Sequence, residues 1–223
     1  MRLSILHLIF AGLATVVFVV FVFAKWQGKN ERIRDLNKEI LQEQARLYEV
    51  EELGTKALAY TRIVKGLDIL MDNKLSEQQK NILTDKLFDI SVYYKIDPLL
   101  ILAVIKHESK GNPYARGSYI SGTKSGALGL MQIKYETARE VAQSVGVKLN
   151  SPEDLFIPEI NLMVGTAYLL RLIARYHNLQ HALIAYNIGF GNLDIKLKRG
   201  EKLPSRYFKS VMKEYKMLVE KIF

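Results

Sequence analysis

Residues 97–109 read DPLLILAVIKHES, and the fold turns on how this stretch is read. Asp97 before Pro98 marks a helix start, since the carboxylate can accept from an orphan amide and proline has no amide to lose in the first turn. Residues 99–105, LLILAVI, are apolar on every side of a helix, so that helix belongs inside a domain. It has to stop near Asn112-Pro113, because the residue before a proline is pushed out of the α region. Its last turn carries Glu108. Charged side chains are rarely fully buried, and desolvation raises a carboxyl's pKa by disfavouring the ionised form. A carboxyl that keeps its proton near neutrality can protonate a glycosidic oxygen, which makes Glu108 the candidate catalytic acid.

Working outward, Ser76-Glu77-Gln78-Gln79 has the form of a capping box, and Leu83, Leu87, Ile90 and Tyr94 then recur on one helical face. Residues 111–129 hold five of the 14 glycines together with Ser118, Ser121, Thr123 and Ser125, which predicts a long loop with a small hairpin around 118–125. Helical patterns resume over 135–145, 158–177, 180–187 and 205–222. No stretch alternates strongly enough to predict a real sheet. The fold class expected is mostly α, with a helical domain over residues 76–223 that is long enough for one core.

Residues 3–24 form an apolar run with no formal charge. At about 1.5 Å per residue it reaches roughly 33 Å, enough for a transmembrane helix across the hydrocarbon core. Secretory h-regions run only about 7–15 residues. A retained anchor over 1–24 is therefore preferred to a cleaved signal, although Val22-Phe23-Ala24 would serve as a cleavage site. Arg2 flanks one side, and Lys25, Lys29, Arg32, Arg34 and Lys38 flank the other. The positive-inside rule alone would keep the rest of the chain cytoplasmic. Residues 25–75 read as a helical stalk. Ile33, Leu36, Ile40, Leu47 and Val50 keep an a/d spacing that Glu43 and Gly54 break, short of a sustained coiled coil.

The net charge of +9 favours anionic partners, but the bases are scattered, and Lys196, Lys198 and Arg199 read as a solvated face. Nucleic acid is not expected as a partner. The absence of cysteine excludes disulfides, thiolate chemistry and cysteine-ligated zinc. His177 and His181 share a helix face without a third ligand, and there is no phosphate-cradling glycine loop. Neither a metal nor a cofactor is expected.

Four ordered segments carry a resemblance. They are Ile96-Asp97-Pro98 leading to Glu108-Ser109; GALGLMQI at 126–133; DLFIPEIN at 154–161 running into Gly165 and Tyr168-Leu169; and AYNIGFGN at 185–192. With them, residues 85–215 resemble the SLT-type lytic transglycosylases, a lysozyme-like family that cleaves the glycan strands of peptidoglycan. The resemblance implies that Glu108 is the single acid/base, protonating the leaving O4 and then taking the proton of the sugar's own 6-hydroxyl. The product would be a 1,6-anhydro-muramic end, with no water consumed. It also implies substrate contacts from Ser109, Thr123, Ser125, Met131, Gln132, Tyr186, Asn187 and Tyr207.

Several positions depart from the family pattern. Glu108 and Gly126 stand 18 apart, longer than the usual spacing. The serine expected shortly before GA has no unique place: counting back from Gln132 gives Thr123, with Ser121 and Ser125 as neighbours; Tyr135 follows MQI where proline is usual, and Phe190 replaces the proline of the last motif. Residues 114–125 thus read as an insertion that modulates substrate handling. Glu136, Glu140 and Asp154 stay open as acids that could approach Glu108, so a hydrolytic muramidase remains an alternative, as does a non-catalytic wall-binding or assembly module. The expected partners are peptidoglycan strands and, through the N-terminal helix, a membrane, with room for an envelope-spanning assembly. The catalytic domain is expected on the extracytoplasmic side.

Overall fold

The structure is a computed structural model that describes residues 2–71, 74–117, 119–120 and 123–222. The chain divides into two units, Met1–Lys56 and Ala57–Phe223. The first helix, α1, runs Arg2–Met71. Within the first unit apolar side chains such as Phe10, Val17, Phe21 and Phe23 are exposed. The N-terminal part of α1 is long and apolar enough to cross a membrane and is the candidate anchor.

The second unit begins at Ala57, earlier than the Ser76 that the capping box suggested. Ile63, Leu67, Leu70 and Met71 are at most 2% exposed and belong to the same core as the buried helix. They recur at i, i+4, i+7 and i+8, one apolar face. The stalk expected over 25–75 therefore loses its last turns to the domain.

Helix α2 covers Glu77–Tyr94 and starts as expected: the Gln79 amide donates to Ser76 Oγ and the Ser76 amide to Gln79 Oε1. Helix α3 covers Pro98–Ser109, with Asp97 Oδ1 accepting from the Leu99 amide at 2.9 Å, and all of its residues from 98 to 105 are buried. It lies at the centre of the unit. Its core takes in Leu162 and Leu169 of α5 (Pro158–Tyr176), Leu183 of α6 (Leu179–Ile188), and Tyr207, Val211 and Leu218 of α8 (Arg206–Ile222).

The glycine-rich segment forms two small antiparallel ladders: β1 (Tyr119–Ile120) with β2 (Thr123–Lys124), and β3 (Ala127–Leu128) with β4 (Ile133–Lys134). The first falls where a hairpin was expected; part of the 114–125 insertion lies outside the described residues. The second was not expected, since two-residue strands leave no alternation to read. Helix α4 (Tyr135–Ala142) follows. A second cluster, including Leu128, Ile133, Leu155, Val164, Tyr168 and Leu193, packs α4, α5, α6 and α7 (Phe190–Lys198) together. Helix α7 was missed because Gly189 and Gly191 read as loop punctuation. Gly189, at φ 84°, is in fact the joint from which the new helix starts.

Candidate active site

Helices α3 and α8 bring together two residues 99 apart in sequence: Tyr207 Oη donates to Glu108 Oε1 at 2.5 Å. Glu108 is half-buried, and Tyr207 is 8% exposed. The Tyr207 ring is held on two sides. Tyr186 stacks on it, with centroids 6.5 Å apart and planes 19° from parallel, and His107 meets it edge-on at 4.9 Å. Tyr186 is fixed in turn, its hydroxyl donating to the Met131 carbonyl at 2.9 Å and its ring lying 5.5 Å from Tyr168.

Burial pushes the Glu108 carboxyl up to about 7, and the Tyr207 hydrogen bond, which favours the carboxylate, pulls against that rise. Burial first, then the Glu108 charge, hold both Tyr186 and Tyr207 well above the ordinary phenol value. The two hydroxyls are therefore dependable donors at neutral pH. His107 is lowered by burial, with Glu214 opposing, which favours its neutral form. Glu108 can thus both give and take a proton near neutrality.

The turn that carries Met131 is pinned from beneath by Asn161, which is fully buried. Its Oδ1 accepts from the Met131 amide at 2.7 Å, and its Nδ2 donates to the Leu128 and Leu155 carbonyls at 2.9 and 2.8 Å. Asn161 lies so close that a Cβ on Gly129 (φ 75°) would sit 2.2 Å from its Nδ2 and from the Leu155 carbonyl oxygen. Glycine is required there on both counts. A Cβ on Gly165 would meet Met131 Sδ at 2.6 Å, so α5 and the Met131 turn also touch without a side chain between them.

Of the residues expected at the site, Glu108, Tyr186 and Tyr207 form one connected group, and Asn187 lies beside it. Asn187 is exposed and lines a cleft of about 220 Å³ with His107, Ile184, Ile188, Pro204, Arg206, Tyr207 and Ser210. Others sit differently. Met131, expected as a groove residue, is fully buried; its side chain packs on Gly165 and accepts from Thr166 Oγ1, and only its carbonyl serves the site. Ser109 is buried and turned into its own helix end, donating to the Ile105 carbonyl and accepting from the Gly111 amide. Gln132, at φ 47°, spends its amide on the Ala115 and Gly129 carbonyls, so it fastens the loop. Ser125 Oγ accepts from the Ala127 amide. The side chain of Thr123 lies outside the described residues.

Two residues of this region were not singled out from sequence. Asn161 stood in the third motif without an assigned role. His107 was hidden by its position next to the candidate acid, and only the ring contact with Tyr207 reveals it.

A mostly helical domain with a half-buried glutamate at a helix end, hydrogen-bonded by a tyrosine, is a fold of the lysozyme-like class. The chain belongs to the family described as Transglycosylase SLT domain, whose model matches residues 87–209, more than half of its length. A membrane-bound lytic murein transglycosylase C of Photorhabdus laumondii is 41% identical over 114 residues, covering 46% of this chain and 30% of that protein. A membrane-bound lytic murein transglycosylase E of Buchnera aphidicola is 33% identical over 90 residues, covering 40% of this chain and 38% of the relative. The chain thus spans well under two thirds of these relatives' lengths. An inactive mutant of the lytic transglycosylase Slt of Pseudomonas aeruginosa superposes with a TM-score of 0.53 at 23% identity, covering 70% of this chain and 25% of that one, a likeness of fold.

Proposed function

We propose that the chain is a peptidoglycan lytic transglycosylase that cleaves the bond between N-acetylmuramic acid and N-acetylglucosamine with Glu108 as its only acid/base. The observation that carries this reading is the Glu108–Tyr207 pair. A carboxyl raised to about 7 supplies comparable amounts of acid and base at neutral pH, and one hydrogen bond fixes its direction. In the first step the Glu108 proton moves to the glycosidic oxygen as the bond to the anomeric carbon breaks. In the second, the Glu108 carboxylate takes the proton of the 6-hydroxyl as that oxygen bonds to the same anomeric carbon. The acid is regenerated and no water enters the product.

A hydrolytic enzyme of this class needs a second carboxylate to activate water or to act as nucleophile. Burial and Tyr207 account for the Glu108 shift, with no carboxylate among the causes. Two of the three acids left open from sequence are engaged elsewhere: Glu140 pairs with Arg171, and Asp154 accepts from the Asn150 and Ser151 amides. A wall-binding module would have no use for a carboxyl poised at neutrality.

In this reading the second unit lies on the extracytoplasmic side, where peptidoglycan is, anchored by the N-terminal part of α1, against the positive-inside count. In this reading the 114–125 insertion modulates substrate handling, and assembly into an envelope-spanning machine is compatible with a tethered glycan cutter. Glu108→Gln should abolish clearing of purified sacculi while circular dichroism is unchanged. Near-wild-type clearing by that variant would refute the single-acid mechanism. A C-terminal alkaline phosphatase fusion should be active; an inactive one beside an active cytoplasmic reporter would overturn the location.

A further inference from the structure

Helix α1 continues without a break past the end of the apolar run, and beyond it apolar side chains stay uncovered. Ile33, Leu36, Ile40, Leu47 and Val50 are each between 46% and 67% exposed. Helices in water owe most of their stability to the packing of an apolar face, and this face has nothing packed on it.

The five residues, with Glu43, fill six successive a and d positions of a heptad repeat. Ile33 and Ile40 stand at a and Leu36 at d, the combination that favours two parallel strands. The opposite face, with Asp35, Lys38, Gln42, Glu49 and Glu52, is polar. The flanking positions suit a second copy of the same helix. In a parallel pair Arg46 at g faces Glu51 at e of the second copy, and Arg32 and Glu39 face the neutral Asn37 and Gln44.

Two and a half heptads with a glutamate in the seam are too few to join two free chains. The anchor changes the balance. Copies held in one membrane in the same orientation can pair only in parallel. The stripe starts about 14 Å from Ala24 in each copy, so the two stripes stand at the same height and in register. Confinement to one surface raises their effective concentration, as a short linker would. The same frame runs back through Lys29 and Trp26 to Val22, Val19, Thr15 and Gly12, and a Cβ on Gly12 would meet nothing. Small residues of that kind let apolar helices approach closely.

We propose that α1 pairs with α1 of a second copy as a short parallel coiled coil over residues 33–50, making the chain a membrane-tethered dimer. This rests on the anchor and does not depend on which bond the second unit cleaves.

The chain has no cysteine, so a single introduced one reports on its own position. The test places cysteine at each residue from 33 to 50 in turn, in the full chain reconstituted into phosphatidylcholine vesicles at low protein density. Disulfide-linked dimer formed on mild oxidation is then measured. A disulfide needs Cα atoms within about 7 Å, so positions 33, 36, 40, 43, 47 and 50 should link about tenfold faster than 38, 42, 45 and 49. Leu41 and Tyr48, apolar but off the stripe, should link as slowly as the polar face. With the reporter Leu36→Cys, adding Ile40→Asp should slow linking about tenfold, and adding Glu43→Leu should speed it, since it replaces the charge in the seam. A flat profile, a maximum at 41 and 48, or a rate indifferent to both substitutions overturns the inference. If the chain floats with the vesicles and the profile is flat, only this inference falls; if it does not float, the anchor falls too. Neither result touches the acid–base reading of Glu108, because no glycan enters the assay.

Discussion

Burial of Glu108 has a thermodynamic consequence that can be measured without substrate. Its carboxyl moves from 4.5 to about 7 on folding. A group raised in this way contributes fully below its unfolded value, and that contribution is lost as pH climbs through the folded value. At about 1.4 kcal/mol per unit the loss would be about 3.5 kcal/mol, and partial solvent contact trims it to about 2–3 kcal/mol. Glu108→Gln cannot ionise and escapes it. The variant and the wild type should therefore unfold alike near pH 4.5. Above pH 7.5 the variant should be more stable, its Tm higher by roughly 5–10 °C for a unit of this size. Differential scanning fluorimetry of both chains from pH 4.5 to 8.5 measures the gap. A gap that stays constant across that range would show that Glu108 is ionised throughout and would refute the burial argument.

Three further outcomes follow from the geometry. Tyr207→Phe removes the hydrogen bond that holds the Glu108 pKa down, so the midpoint at which Glu108 ionises should move upward, and cleavage should fall by about 10–100-fold as the acid loses its orientation; a pH–rate profile checks both. Asn161→Ala deletes three hydrogen bonds at a fully buried position and should cost about 2–4 kcal/mol, read as a lower urea midpoint. Deleting residues 118–124 while keeping Gly117 and Ser125, which pack on each other, should shift the Tm only slightly and change the lengths of the glycan products seen by chromatography.

Much of this was legible in the chain. Asp97-Pro98 and the apolar run after them fixed α3 and left Glu108 at its end, because capping and burial are written locally. The partner of Glu108 was not legible from spacing alone, since Tyr207 reaches it, and Tyr186 stacks on Tyr207, only after α8 and α6 fold against α3. Met131 and Ser109 show the opposite limit. Their places in the motifs suggested substrate contact, but Met131 fills the space left by Gly165, and Ser109 closes its own helix. The start of the domain was misplaced because the Ser76 cap is a louder signal than the single face of Ile63, Leu67 and Leu70. The role of Asn161 shows only in the folded chain, as its three partners come from two separate segments, 128–131 and 155.

The central claim is that one carboxyl runs both proton transfers without water. Mass spectrometry of the fragments released from purified peptidoglycan tests it most directly. The account predicts muropeptides ending in 1,6-anhydro-muramic acid, each lighter by one water than the hydrolytic product and absent with Glu108→Gln. Reducing ends in their place would contradict it.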